Sequence, residues 1–212
     1  MIKLSGITKK YGDKSIFEDF SFTAEDGKIT VVLGESGAGK TTLLNVIAQI
    51  TDFSGEVSGA EKVSMVFQRD RLVPHLTVED NVRFVNSDAP VSDLLSEVGL
   101  SGAEKLYPKD LSAGMARRVA IVRAFSYDAP VVLMDEPLVN LDLSLKYSLV
   151  NKIKELRERY GKTVVLVTHD VSEAVMLADK ITVLSAGKIV YENSDVKKED
   201  EKTLIDLFLK KI

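Results

Sequence analysis

The sequence contains no cysteine and no long apolar segment. Without cysteine it has neither a disulfide framework nor a metal site built from thiolates. Its longest apolar runs, such as residues 131–134, are far shorter than the roughly 20 residues that a membrane-spanning helix needs. Residues 1–6 also lack the apolar centre of a signal peptide. We therefore expect a soluble chain in the cytoplasm.

An excess of basic residues is also lacking, because the 212-residue chain has a formal net charge of −4 at pH 7. It carries no broad basic field of the kind that nonspecific nucleic-acid binding requires, so we expect no nucleic-acid partner. Apolar residues make up 45% of the chain and charged residues 28%, which is ordinary globular composition. The length allows a sizeable core in one large domain or two small ones.

A glycine-rich segment at residues 34–41 meets every fixed position of the pattern Gly-x4-Gly-Lys-Ser/Thr. Apolar runs on both sides of it predict a strand, a loop and the start of a helix. In that setting backbone N–H groups and Lys40 bind phosphate, and Thr41 binds Mg²⁺. The motif therefore predicts a site for a nucleoside triphosphate. The residues assigned to this site are Gly34, Glu35, Ser36, Gly37, Ala38, Gly39, Lys40, Thr41 and Thr42.

Strand patterns and helix patterns alternate along the chain, which favours an α/β fold with a mixed or parallel sheet. Nucleotide is then expected at the carboxyl edge of the sheet. Helical spacing predominates between about residues 77 and 127, so we predict a helical insert there. The predicted strands are residues 2–8, 16–24, 28–33, 63–67, 131–134, 164–167, 180–185 and 188–191, with an amphipathic helix at 143–160.

Two carboxylates, Asp135 and Glu136, follow the apolar run at residues 131–134. Taken alone, such a run is as typical of a strand that leaves the core as of a catalytic site. The phosphate-binding motif upstream favours the catalytic interpretation. Asp135 is then expected to hold Mg²⁺, directly or through water, and Glu136 to deprotonate the water that attacks the γ-phosphate.

Three further polar positions follow predicted strands or begin a helix. His169 ends a strand at the same predicted edge as Glu136, which favours a contact with the γ-phosphate over a structural role. Gln68 ends another short strand. Ser112 is a natural N-cap for a helix that runs to about Ser126, and such a helix start can also bind an anion.

Together these elements resemble the ATP-binding cassette (ABC) transporter ATPases, and the resemblance covers essentially the whole chain. The family's ordered motifs are a phosphate loop, a glutamine, a Leu-Ser-Gly-Gly-Gln signature, an Asp-Glu strand, an Asp-bearing loop and a histidine. The matching positions are residues 34–42, Gln68, residues 111–115, Asp135, Glu136, Asp142 and His169. Tyr11 matches the aromatic residue on which the family stacks adenine.

The resemblance implies one ABC ATPase domain over residues 1–212, with a phosphate-loop NTPase core and an N-terminal antiparallel β portion. It also implies a helical signature subdomain near residues 77–127. The implied activity is hydrolysis of ATP to ADP and phosphate, coupled to transport through a membrane. Glu136, His169 and Gln68 are the implied catalytic residues, with Thr41, Gln68 and Asp135 at the Mg²⁺ ion.

The family also implies that each ATP lies between two cassettes that pair head to tail. The signature residues Ser112, Ala113, Gly114 and Met115 then contact the ATP held by the second cassette, and Asp142 lies in the dimer loop. A homodimer is expected, docked on permease subunits at the cytoplasmic face of the membrane. An importer would also require an extracytoplasmic solute-binding protein.

Two signature positions depart from the family pattern. Ala113 stands where glycine is usual, at a cost of about 1 kcal/mol if the backbone needs a positive φ there and little if it is helical. Met115 replaces the usual glutamine. Together with residues 72–82, Met115 resembles cassettes of nitrate, sulfonate and taurine importers.

Other functions remain open at this point. An exporter, or a system that extracts lipids or lipoproteins, would use the same catalytic residues. A cassette acting on DNA or ribosomes usually has long insertions or two cassettes, which this sequence lacks, and a non-catalytic cassette would not need Glu136 and His169. A phosphate-loop kinase or GTPase does not account for Gln68, Ser112 and His169. The sequence does not identify the transported solute.

Overall fold

The structure is a computed structural model that describes residues 1–139, 141–197 and 199–209. In chain order the elements are β1 (Ile2–Tyr11), β2 (Lys14–Ala24), β3 (Ile29–Leu33), α1 (Lys40–Ile47), β4 (Ser54–Ser58), β5 (Val63–Val66), α2 (Val78–Arg83), α3 (Val91–Glu97), α4 (Ala113–Ser126), β6 (Val131–Asp135), α5 (Leu143–Tyr160), β7 (Thr163–Thr168), α6 (Val171–Leu177), β8 (Lys180–Ser185), β9 (Lys188–Asn193) and α7 (Asp200–Leu209).

The strands form two sheets. The first has the order β2-β1-β4 and is antiparallel. The second has the order β5-β6-β7-β3-β8-β9 and is parallel except for β9, which runs antiparallel to β8. The α/β prediction, with a mixed sheet and an antiparallel N-terminal portion, is therefore confirmed.

Register in the parallel sheet brings the ends of three strands to one edge. Leu33 pairs with Thr168, and Asp135 pairs with Val167, so β3, β6 and β7 end side by side. The residues that follow these strands must therefore leave the sheet next to one another. This edge is where residues distant in sequence come together.

Both faces of the parallel sheet are buried. Val31 and Leu33 pack with helices α2 to α6 on one face. Val32 packs on the other face with α1 and with apolar residues of the antiparallel sheet. Because consecutive residues of β3 face opposite cores, the strand is a continuous apolar run rather than an alternating one. This packing holds the strand ends rigidly.

The predicted strands all appear, but two elements have no counterpart in the sequence prediction. β4 was not predicted because its sequence is largely polar and exposed and carries no apolar period, although it pairs with β1. The short helix α6 was also missed. Helices α2, α3 and α4 lie within the predicted helical region, whose boundaries as a subdomain remain a prediction.

The turn between β8 and β9 supports the loop that follows β3. Ala186 and Gly187 both have positive φ, as a two-residue hairpin turn requires, and the Gly187 N–H donates to the Ala38 carbonyl at 3.2 Å. A Cβ atom at Gly187 would lie 1.9 Å from the Ile16 carbonyl oxygen. The turn therefore has room only for glycine.

We predict that Gly187→Ala lowers the free energy of unfolding more than Gly161→Ala does. Gly161 also has a positive φ, +60°, but a Cβ atom there would meet no described heavy atom within 4 Å. Gly161→Ala should therefore cost only the left-handed backbone penalty of about 1–2 kcal/mol. Urea unfolding of both variants measures the difference. Equal destabilisation would show that the Ile16 contact is absent.

Candidate active site

A cavity of about 430 Å³ opens at the carboxyl edge of the parallel sheet, a size typical of small-molecule sites. It lies between the antiparallel sheet, the loop after β3 and the end of β6. Its lining residues are Tyr11, Lys14, Ile16, Ser36, Gly37, Gly39, Lys40, Thr41, Thr42, Gln68, Asp135 and Glu136. The sheet topology thus brings together the phosphate motif, the Asp-Glu pair and Gln68.

The loop between β3 and α1 forms the floor of this cavity. Lys40 Nζ donates to the Gly34 carbonyl at 2.7 Å and to the Glu35 carbonyl at 3.0 Å. Gly39 is the N-cap of α1 with φ +106°, and no side-chain cap hydrogen bond is made at this helix start within the described residues. Its backbone N–H groups are therefore oriented to bind an anion such as a phosphate. Gly34, Glu35 and Ala38 shape the loop from outside the lining.

Lys40 is almost fully buried at this point, with 6% of its side chain exposed. Burial lowers the pKa of Lys40, and the nearby charges of Glu136 and Asp135 oppose that shift. A buried ammonium beside open N–H groups is a strong electrostatic site for a polyphosphate.

Thr41 and Asp135 form the candidate metal position. Thr41 Oγ1 lies 3.0 Å from Asp135 Oδ2 and 3.3 Å from Oδ1. The pKa of Asp135 is raised above its usual value because the carboxyl is buried, and the hydrogen bond from Thr41 partly offsets this shift. Together with the side chain of Gln68 they provide the oxygen ligands that Mg²⁺ prefers. The residues present therefore fit this ion.

Glu136 lies between two basic groups directly after β6. Its Oε1 is 3.1 Å from His169 Nδ1 and 3.8 Å from Lys40 Nζ. Its backbone has φ +46°, which is strained for a residue with a side chain, and its N–H donates to the Val167 carbonyl at 3.0 Å. Strain of this kind at a cavity wall is typical of residues held for chemistry.

Sequence reasoning missed two of the lining residues, Lys14 and Ile16. The lining also includes Tyr11, which is half-exposed and whose role in stacking on the base remains a prediction. Lys14 pairs with Tyr11 across the turn between β1 and β2. A tight turn directly after Tyr11 was the available signal, because it returns the chain to the same place.

The signature residues begin α4. Ser112 is the N-cap, and its Oγ accepts from the Met115 N–H at 3.2 Å. Ala113 is the first helical residue and has no positive φ, so alanine replaces glycine at little cost there. A Cβ at Gly114 would lie 3.0 Å from Leu145 Cδ2, so glycine allows α4 to approach α5 closely.

None of the residues 112–115 is part of the described lining of the nucleotide-sized cavity. Ala113 instead lines a neighbouring cavity together with Gln68. Asp142 caps α5, and its Oδ1 accepts from the Leu145 N–H at 2.9 Å. The structure thus brings the phosphate loop, Asp135 and Glu136 together and leaves the signature outside, and the roles of all these residues remain predictions.

A family model described as ABC transporter matches residues 17–139, more than half of the chain. The chain belongs to the ABC transporter family. It is 38% identical over 193 residues to the aliphatic sulfonates import ATP-binding protein SsuB 3 of Paraburkholderia xenovorans (strain LB400), covering 89% of this chain and 78% of that protein. It is also 38% identical over 206 residues to the taurine import ATP-binding protein TauB of Escherichia coli O157:H7, covering 88% and 80%.

Solved structures of ABC cassettes agree with this assignment. A dimeric structure of MJ0796, described as a bacterial ABC transporter cassette, has a TM-score of 0.81 at 29% identity. That match covers 93% of this chain and 99% of MJ0796. Another dimeric MJ0796 structure, in a post-hydrolysis state with ADP and Pi, has a TM-score of 0.80 at 28% identity over the same shares.

As a member of this family, the chain is an ATP-binding subunit of an ABC transporter and hydrolyses ATP. Both curated relatives are import proteins, which supports the importer prediction over the exporter, lipid-extraction and non-transport alternatives. Among the helices of the described ranges, none is both long enough and apolar enough to cross a membrane.

Proposed function

We propose that two copies of this chain bind two ATP molecules between them and drive an importer through permease subunits. The observation that supports this most directly is the separation of the two halves of the site. The phosphate loop and Glu136 share one cavity, while Ser112 at the start of α4 lies outside it. The helix start at Ser112 then completes the ATP site of the partner copy.

Each copy would supply the same set of groups to its own nucleotide. Tyr11 stacks on the base, and Lys40 with the N–H groups of the first turn of α1 binds the phosphates. When bound near Thr41 and Asp135, Mg²⁺ offsets the negative charge of the phosphate oxygens.

Glu136 is the base in this proposal. Its carboxylate accepts the proton of the water that attacks the γ-phosphate, and the strained backbone at the end of β6 holds it in place. His169 Nδ1, at 3.1 Å from Glu136 Oε1, orients that carboxylate, and the resemblance to the family assigns His169 to a contact with the γ-phosphate. Gln68 lies at the cavity wall and orients the water.

ATP binding closes the pair of cassettes and hydrolysis opens it. Permease subunits convert this motion into transport, so we place the chain on the cytoplasmic face of a membrane through those subunits. Because the relatives import sulfonates or taurine, we include a solute-binding protein among the partners. The permease and that protein select the solute.

Purification from membranes of the native host tests the importer proposal. The chain, tagged at one end, is extracted with a mild detergent, and the accompanying proteins are identified by mass spectrometry. We expect a permease, with a solute-binding protein recovered when the complex is cross-linked. Recovery of an export or lipoprotein-extraction partner, or of DNA or ribosomes, would overturn import while leaving the ATPase assignment intact.

A further inference from the structure

The segment that carries Gln68 is fastened to α4 by two arginines. Arg117 donates from Nη1 to the Phe67 carbonyl at 2.7 Å and from Nη2 to the Gln68 carbonyl at 2.5 Å. Arg123 donates from Nη2 to the Asp70 carbonyl and from Nη1 to the Arg71 carbonyl, both at 3.0 Å. Four carbonyls of one short segment are therefore held by a single helix.

The contacts of Arg117 control the orientation of Gln68 in particular. The carbonyls of Phe67 and Gln68 belong to the two peptide planes on either side of the Gln68 Cα atom. Because peptide units are planar and rigid, holding both carbonyls restricts the backbone torsion angles of Gln68 and the direction of its Cα–Cβ bond. The contacts of Arg123 lie two residues further on and do not have this effect.

Arg117 is well suited to hold a fixed position. Its side chain is 7% exposed, and its Nε lies 3.1 Å from Asp70 Oδ1. Its two terminal nitrogens thus donate to carbonyls of this loop, and Nε lies within ion-pair distance of a carboxylate of the same loop without a hydrogen bond between them. The guanidinium is a planar fork, so its two ends cannot move independently, whereas the ammonium of a lysine has one flexible centre.

Gln68 is placed where its orientation matters. It lines the nucleotide cavity with Thr41 and Asp135, and it also lines the neighbouring cavity that includes Ala113. The Gln68 side chain is exposed, and no hydrogen bond from it is found within the described part of the chain. Within the described part of the chain only its backbone is therefore anchored, and the backbone sets the direction in which the side chain leaves the segment.

From this geometry we infer that Arg117 is a positioning residue that couples the signature at the start of α4 to Gln68. The inference rests on the proposed function, in which Ser112 contacts the ATP of the partner copy. Ser112 and Arg117 are separated by five positions of continuous helix, about 7.5 Å along its axis. Engagement of the partner's ATP by the signature then moves Gln68 through a rigid connection.

Arg117→Met and Arg117→Lys test the inference, with Arg118→Met as a matched control on the same helix. Arg118 also binds backbone carbonyls, donating from Nη1 to Val98 at 2.9 Å and to Gly99 at 3.2 Å and from Nε to Gly114 of the signature at 3.2 Å. It has no described contact with the Gln68 segment, so it separates a disturbance of the signature helix from a disturbance of Gln68. Each substitution is combined with Gln68→Ala. Single-turnover hydrolysis rates are measured because they remain measurable for slow variants, and KM for ATP is measured alongside.

We expect Arg117→Met to lower the hydrolysis rate by about tenfold to a hundredfold, as misplacement of an orienting group does. The KM for ATP should change by less than about threefold, since the phosphate loop is untouched. In the Gln68→Ala background Arg117→Met should have no further effect, whereas Arg118→Met should act independently of Gln68. Arg117→Lys keeps the charge beside Asp70 but loses the fork, so it should fold normally and still be slow.

Equal effects of Arg117→Met with and without Gln68 would overturn the inference, as would full activity of Arg117→Lys and Arg117→Met. Thermal melting shows whether each variant is folded. If Arg117→Met is unfolded, the hydrolysis rate of Arg117→Lys tests the inference. An inactive wild-type protein, assayed with its permease, would instead refute the proposed function. The two failures are therefore distinguishable.

Discussion

Glu136→Gln is expected to stop ATP hydrolysis almost completely while leaving ATP binding intact. The amide has nearly the shape of the carboxylate, so the cavity keeps its form, but it cannot accept a proton from water. Loss of a general base lowers the rate by about a hundredfold or more. Phosphate release and the binding of labelled ATP, measured on the same preparation, separate the two effects.

Glu56→Gln is the matched control for this substitution. Glu56 is an exposed glutamate in β4, outside the described lining of the cavity, so its replacement should leave the hydrolysis rate unchanged. Turnover of the Glu136 variant close to that of the wild type would remove Glu136 from the role of base. The nearby His169 would then need to be tested in that role.

Lys40→Ala is expected to weaken ATP binding itself. Lys40 carries a buried positive charge at the phosphate loop and also fastens the loop through the Gly34 and Glu35 carbonyls. Hydrogen bonds to charged groups contribute about 1.5–3 kcal/mol each, so losing the phosphate contact should reduce ATP affinity by about tenfold to a hundredfold. Isothermal titration with ATP and Mg²⁺ measures the change.

Lys62→Ala provides the comparison for the lysine variant. Lys62 forms an exposed ion pair with Asp128 at 2.9 Å and lies outside the described cavity lining, so ATP affinity should not change. Unfolding measurements without ATP show whether the Lys40 variant keeps its fold. An ATP affinity equal to that of the wild type in a folded Lys40→Ala protein would contradict the phosphate-binding assignment.

Local sequence was sufficient to predict the parts of the site that are built from one segment. The phosphate loop between β3 and α1 follows from a strand, three glycines and a helix start in direct succession. The pair Asp135 and Glu136 follows from a continuous apolar run, because a strand buried on both faces has no polar period. Such features depend on neighbours in the chain.

Features that depend on sheet order or on distant contacts could not be predicted in this way. The contact between His169 and Glu136 requires β6 and β7 to be adjacent, which no local pattern specifies. Arg117 reaches a segment about fifty positions away, and in the sequence it is one more charged residue of a helix. The polar strand β4 has one apolar residue, Val57, which is too little for an apolar period.

The central claim is that two copies of the chain enclose ATP between them, and the molecular mass of the Glu136→Gln protein in solution tests it most directly. Light scattering is measured with and without ATP and Mg²⁺, and bound nucleotide is counted. We predict one chain without ATP, two chains and two nucleotides with it, and a single chain that still binds ATP when Ser112→Arg is added. A protein that remains a single chain at saturating ATP, alone and in the presence of its permease, would contradict the account.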